Sequence, residues 1–183
     1  MALLILGVLL WIGAHLFKRA LPRQRDALGS KGKGIVAVVI LIGMVLMIIG
    51  YRAVDEADLY TLPTWAWYLN NVLMLIAIFL LDAGRVKGVV RTKVRHPMLS
   101  GVIVWSVAHL LVNGDVASLI LFGGLGFWAV LETIVINRAE GAWQVPETGS
   151  ILNDAKVMVI ATAVFSAIVG IHYWLGYSVL VFL

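Results

Sequence analysis

The residues in this chain with the strongest claim to chemistry are its four histidines, because the chain has no cysteine to act as thiolate ligand, nucleophile or disulfide partner. His15, His109 and His172 each fall in a long apolar run. An ionisable group inside such a run is costly and marks a functional site by default. Two of the three share one setting. "GVLLWIGAHL", Gly7 to Leu16, and "GVIVWSVAHL", Gly101 to Leu110, carry Gly, Val, Trp, Ala, His and Leu in identical places. On a helix, Gly, Trp, Ala and His at i, i+4, i+7 and i+8 wind into one stripe. Such a stripe suits a porphyrin, since small residues admit the ring, tryptophan stacks on it or meets its edge, and imidazole ligates iron. Gly7, Trp11, His15, Gly101, Trp105 and His109 are therefore candidate cofactor-binding residues, with His15 and His109 as metal ligands and His172 as the second choice. The competing explanation is plain helix packing. Small residues, including Gly123, Gly124 and Gly126, also let two backbones approach closely in a membrane, and apolar helices drawn from few residue types resemble one another by chance.

His96 sits differently, in "RHPMLS". A residue before proline is pushed out of helical conformation, while proline itself suits the first helical turn. Arg95 and His96 thus stand at a helix start, where the positive end of the dipole favours an anion such as a phosphate, carboxylate or haem propionate. A lipid headgroup would satisfy the same residues. Other patterns are structural: Asp82 is spaced to pair with Arg85, and Asn113, Gly114 and Asp115 form a turn with Asp115 as N-cap of the next helix. Ser100, Ser106 and Ser118 lack a base and an orienting acid, and there is no phosphate-cradling loop.

The elements that must carry these residues follow from composition. Of 183 residues, 62% are hydrophobic and 13% charged, and the charges fall between apolar runs. The fold class is all-α, a polytopic transmembrane helical bundle of about six spans in a single domain covering residues 1–183. The runs are 2–17, 35–51, 65–81, 98–112, 116–136 and 157–173, against the roughly 20 apolar residues a span requires. The first has no positive n-region and no clean cleavage site, so it is expected to be a retained helix. "GSKGKG", Gly29 to Gly34, is a flexible cationic turn; "TWAWY", Thr64 to Tyr68, is an interfacial anchor. The stretch from Asn137 to Lys156 is expected to rest on the membrane surface as a loop, with Glu140 and Glu147 solvated.

Charge sets orientation. Lys18, Arg19, Arg23, Arg25, Lys31 and Lys33 crowd the first loop, and Arg85, Lys87, Arg91, Lys93 and Arg95 the third, whereas the second holds Asp55, Glu56 and Asp58 against Arg52. The positive-inside rule makes the basic loops cytoplasmic. The net charge of +4 then reports topology and anionic lipid, with no nucleic-acid module around it. Orientation also creates a difficulty for the echo. The first and fourth spans run antiparallel, so His15 and His109, each past its helix midpoint, differ in depth by roughly 15 Å. On depth alone His109 pairs better with His172, and His15 with His96.

"GAHLFKRALPRQRDAL" followed by "RHPMLSGVIVWSVAHLLVNGDVASLILFG" resembles the NnrU family of bacterial membrane proteins over nearly the whole chain. The resemblance implies a bacterial inner-membrane protein linked to denitrification, accompanying nitrite and nitric oxide reductase functions. The family is similar to the plant 15-cis-zeta-carotene isomerases, membrane proteins that hold haem b and isomerise a double bond by a redox-dependent route. That similarity implies haem ligation at His15 and His109. Ser106 stands where those enzymes have a cysteine used in ligand exchange, which puts the isomerase chemistry in doubt but not haem binding. "RHPMLSG" also resembles an element of isoprenylcysteine and phospholipid methyltransferases that helps hold S-adenosylmethionine; Leu99 replaces its tyrosine and the later acidic pair has no counterpart. Three functions are therefore weighed. The first is a haem b protein with redox or isomerase-like action on an apolar small molecule. The second is a non-enzymatic partner assisting assembly or expression of the reductases, and the third is a small-molecule methyltransferase.

Overall fold

The structure, a computed structural model, describes residues 1–55 and 57–180; Glu56 of the acidic loop lies outside the described residues, as do the last three. Seven helices and no strand are present among the described residues. They are α1 (Ala2–Ala20), α2 (Pro22–Ala27), α3 (Gly32–Arg52), α4 (Trp65–Ala83), α5 (Pro97–Val112), α6 (Val116–Glu140) and α7 (Ile151–Trp174). Five of these, α1, α3, α4, α6 and α7, are long and apolar enough to cross a membrane. The sixth apolar helix, α5, has 16 residues and so rises about 24 Å, a little short of the hydrocarbon core. The chain is a multi-pass membrane protein of the expected helical class.

Local sequence explains the helix ends. Pro97 opens α5, and His96 before it has non-helical backbone angles (φ −126°, ψ 70°). The Asp115 carboxylate caps α6 by accepting from the Ser118 N–H at 2.8 Å and the Ser118 hydroxyl at 2.6 Å. Ser150 caps α7, its Oγ accepting from the Leu152 N–H. Asp82 and Arg85 form the expected ion pair at 3.2 Å. One expectation needs correction. The stretch from Asn137 to Lys156 is not a single surface loop, since α6 continues to Glu140 and α7 begins at Ile151. Paired polar groups extend both helices: Glu140 faces Arg19 and Arg95, and Asp154 caps the third loop. The cationic turn is likewise partly ordered, with a 3₁₀ turn at Gly29–Lys31 and α3 starting at Gly32.

Close packing runs in the order α3, α1, α6, α5, α4, α7, an open ring of helices. Glycines set two of the tightest contacts. A Cβ on Gly7 would lie 2.7 Å from the Gly43 carbonyl of α3, and one on Gly101 would lie 2.9 Å from the Ala77 carbonyl of α4. The two glycines of the echo thus serve helix packing. At one end of the ring, the basic end, the third loop is tied to α7: Asp154 accepts from the backbone N–H of Val89 at 2.6 Å, and Lys87 O accepts from Ser150 N and Asn153 Nδ2. At the acidic end, Leu59 N donates to Gly114 O and the Tyr60 hydroxyl donates to Leu110 O. Burial, with the Asp115 and Asp58 carboxylates nearby, raises the Tyr60 phenol above its usual pKa.

Candidate functional site

The helices leave a cavity of about 460 Å³ at the acidic end, in the range of small-molecule and cofactor sites. Its inner wall is apolar, built from Met74, Phe122, Phe165, Ile168 and Val169, and its rim is polar, with Arg52, Asn71, Asn113 and Ser178. His109 from α5 and His172 from α7 both line it. These two histidines lie 63 positions apart in the chain and meet because α4 holds α5 on one side and α7 on the other. Asn70 of α4, itself buried, donates from Nδ2 to Ala108 O at 2.8 Å and so fixes the α5 backbone beside His109.

Each intramembrane histidine has its Nδ1 against the carbonyl one turn back on its own helix. His15 reaches Trp11 O at 2.8 Å, His109 reaches Trp105 O at 3.0 Å and His172 reaches Ile168 O at 2.9 Å. A carbonyl only accepts, so Nδ1 carries the proton, and in the neutral imidazole Nε2 keeps its lone pair. This is the arrangement in which a ligating imidazole is oriented by its outer hydrogen bond. The rest of the His109 environment is aromatic. Its ring stacks on Phe122 with centroids 4.3 Å apart and planes at 26°, and Trp105 lies 4.8 Å from it. Phe122 belongs to a π-helical turn, Leu119–Gly123, near the start of α6; such turns recur at functional sites.

His15 occupies an equivalent but separate place. Its ring lies 4.5 Å from Trp11 and 4.5 Å from Trp128, and it does not line the cavity. The echo therefore makes one tertiary motif twice: a Trp-His pair one turn apart, closed on an aromatic of α6. Trp11 and His15 take Trp128, whereas Trp105 and His109 take Phe122. Those two anchors are six residues apart on α6, a rise of roughly 9 Å. The two histidines thus pack at different levels of α6, with anchors roughly 9 Å apart where topology predicts roughly 15 Å, and the echo does not bring its histidines into one cavity.

The remaining candidates gather at the basic end. His96 Nε2 lies 2.9 Å from Asn137 Oδ1, and Arg95 donates to Gly141 O at 2.8 Å while its other terminal nitrogen is 3.6 Å from Glu140. The groups expected to face an anion are thus turned to the C-terminal end of α6. Beside them Arg19 pairs with the buried Glu132 at 3.0 Å. Glu132 is a carboxylate within a span that reading by motif passed over; the signal was its position four residues after Trp128 in an otherwise apolar segment. Ser106 is buried, its hydroxyl has no hydrogen-bond partner, and it does not line the cavity. Among the described residues no group of three or more His, Cys, Asp or Glu side chains could hold a metal ion.

The family model described as NnrU protein matches residues 3–179, and the chain belongs to that family. No curated protein and no solved structure matches it.

Proposed function

We propose that this member of the NnrU family is a membrane-embedded haem b protein whose cofactor would lie in the acidic-end cavity, held by His109 and His172. One observation carries the reading: two imidazoles from different helices line a single cavity, each with Nδ1 bonded to its own helix and Nε2 left for iron. The residues fit the group. A porphyrin supplies four ligands, so two histidines complete it. Met74, Phe122 and Phe165 offer an apolar seat that excludes water. Bound there, haem would supply one-electron transfer, and nitric oxide would bind only by displacing one of the two histidines; either is in keeping with the family's link to denitrification in the bacterial inner membrane. Asn70 and the backbone carbonyls of Trp105 and Ile168 would hold the imidazoles in place.

A second pairing, His15 with His109, is implied by the similarity to the carotene isomerases and is favoured by the same Nδ1 arrangement at His15. The two pairings separate in one experiment. The protein is purified in detergent, titrated with haem and followed by its absorption spectrum. The expected result is a six-coordinate Soret spectrum that is lost in both His109→Ala and His172→Ala and kept in His15→Ala. Loss in His15→Ala with retention in His172→Ala would establish the second pairing. A Soret band that stays that of free haem throughout the titration of the unmodified protein would overturn both.

A further inference from the structure

The cavity is graded along its length. From Phe165 to His172 on α7, and from Met74 to Trp67 on α4, the lining spans seven residues, roughly 10 Å of helix rise. Met74, Phe165 and Ile168 occupy the deep part, while Arg52, Asn113 and Ser178, interleaved with Val112 and Val179, lie at the rim, where α3 and α5 end and the chain leaves α7. Among the described residues, Arg52 is the only lysine or arginine in the lining, and neither aspartate nor glutamate lines it. It is exposed and, among the described residues, makes no hydrogen bond or ion pair. The nearby acids among the described residues, Asp55, Asp58 and Asp115, are otherwise placed. Asp115 is held by Ser118, and Asp55 and Asp58 are exposed on the following loop and do not line the cavity.

We infer that Arg52 is the anchor for an anionic group on the cavity's ligand, so that the site selects an amphiphile with a flat or extended apolar body and a carboxylate at the rim. A guanidinium suits this because it holds a carboxylate with two parallel N–H donors. With haem as the ligand, an inference that rests on the reading above, the anionic group is a propionate. This places propionate recognition at the acidic end rather than at Arg95 and His96, whose polar groups are turned to α6.

The test compares haem with haem dimethyl ester, which keeps the iron and the ring and removes both negative charges. Dissociation constants come from Soret titration of the purified protein. The unmodified protein is expected to prefer the free acid by about tenfold, the scale of one charge-assisted contact. Arg52→Gln is expected to bind both porphyrins with the preference reduced to less than threefold, and Arg52→Lys to fall between. A preference unchanged in Arg52→Gln, or no preference in the unmodified protein, overturns the inference and leaves haem binding standing. No saturable, protein-dependent shift of the Soret band with either porphyrin overturns the haem reading and the inference with it.

Discussion

The Arg19–Glu132 pair is unequal in a way that fixes what each substitution does. Glu132 is 7% exposed, whereas the Arg19 side chain is 30% exposed and also reaches toward Glu140 at 3.9 Å. Removing the arginine strands a buried carboxylate; removing the carboxylate leaves a cation that can still turn to Glu140 and to water. Breaking a fully buried pair costs about 3–5 kcal/mol and an exposed one below about 1. Arg19→Ala should therefore cost about 2–3 kcal/mol and Glu132→Gln about 1 kcal/mol. The double variant Arg19→Ala/Glu132→Gln should be more stable than Arg19→Ala alone. Thermal unfolding in detergent gives the three values, and an Arg19→Ala protein as stable as Glu132→Gln would show that the carboxylate is not stranded. Sequence exposed the charges but not the pairing, because 113 positions separate the two residues and only the crossing of α1 on α6 joins them.

At the level of helices, the start signals were readable and the extents were not. Pro97 after His96, and Asp115 three residues before Ser118, act through their immediate neighbours, so their positions follow from spacing alone. The outward extensions of α6 and α7 depend on partners in other elements, as does the meaning of the echoed glycines. Gly7 and Gly101 are consistent with a cofactor wall or a helix crossing until the neighbouring helix is known, and α3 and α4 prove to be those neighbours. The distinction can be measured. Gly101→Val pushes a branched side chain toward the Ala77 carbonyl, 2.9 Å from its Cβ, and should destabilise by about 1–3 kcal/mol through overpacking. Gly13→Val, whose Cβ meets nothing within 4 Å, should be nearly neutral by the same unfolding measurement. Equal effects at the two positions would mean that α4 and α5 do not meet at Gly101.

Over the whole molecule, the open ring of helices accounts for both what the echo records and what it does not. Two Trp-His pairs close on one helix, α6, at Phe122 near its start and at Trp128 in its middle, so a repeated local sequence produces two environments at two levels. Only the acidic-end pair faces the gap that α7 borders, and that gap is where a second histidine arrives. Antiparallel placement of α1 and α5 was readable from charge, because loop charge acts locally. Depth read from loop charge already favours His172 as the partner of His109, but that both line one cavity depends on α7 packing against α4, which no local pattern encodes. The same arrangement predicts which face of the membrane the cavity approaches. Loops rich in lysine and arginine remain cytoplasmic, so the basic end should face the cytoplasm and the Arg52 rim the opposite compartment. The chain has no cysteine, which makes single-cysteine labelling direct. Lys33 and Asp58 are both exposed, at opposite ends of α3. With a membrane-impermeant maleimide on intact cells whose outer membrane is permeable, Asp58→Cys should be labelled at once and Lys33→Cys only after the inner membrane is opened. The reverse order would place the cavity rim in the cytoplasm, where its ligand would be loaded from the side of synthesis and without crossing the bilayer.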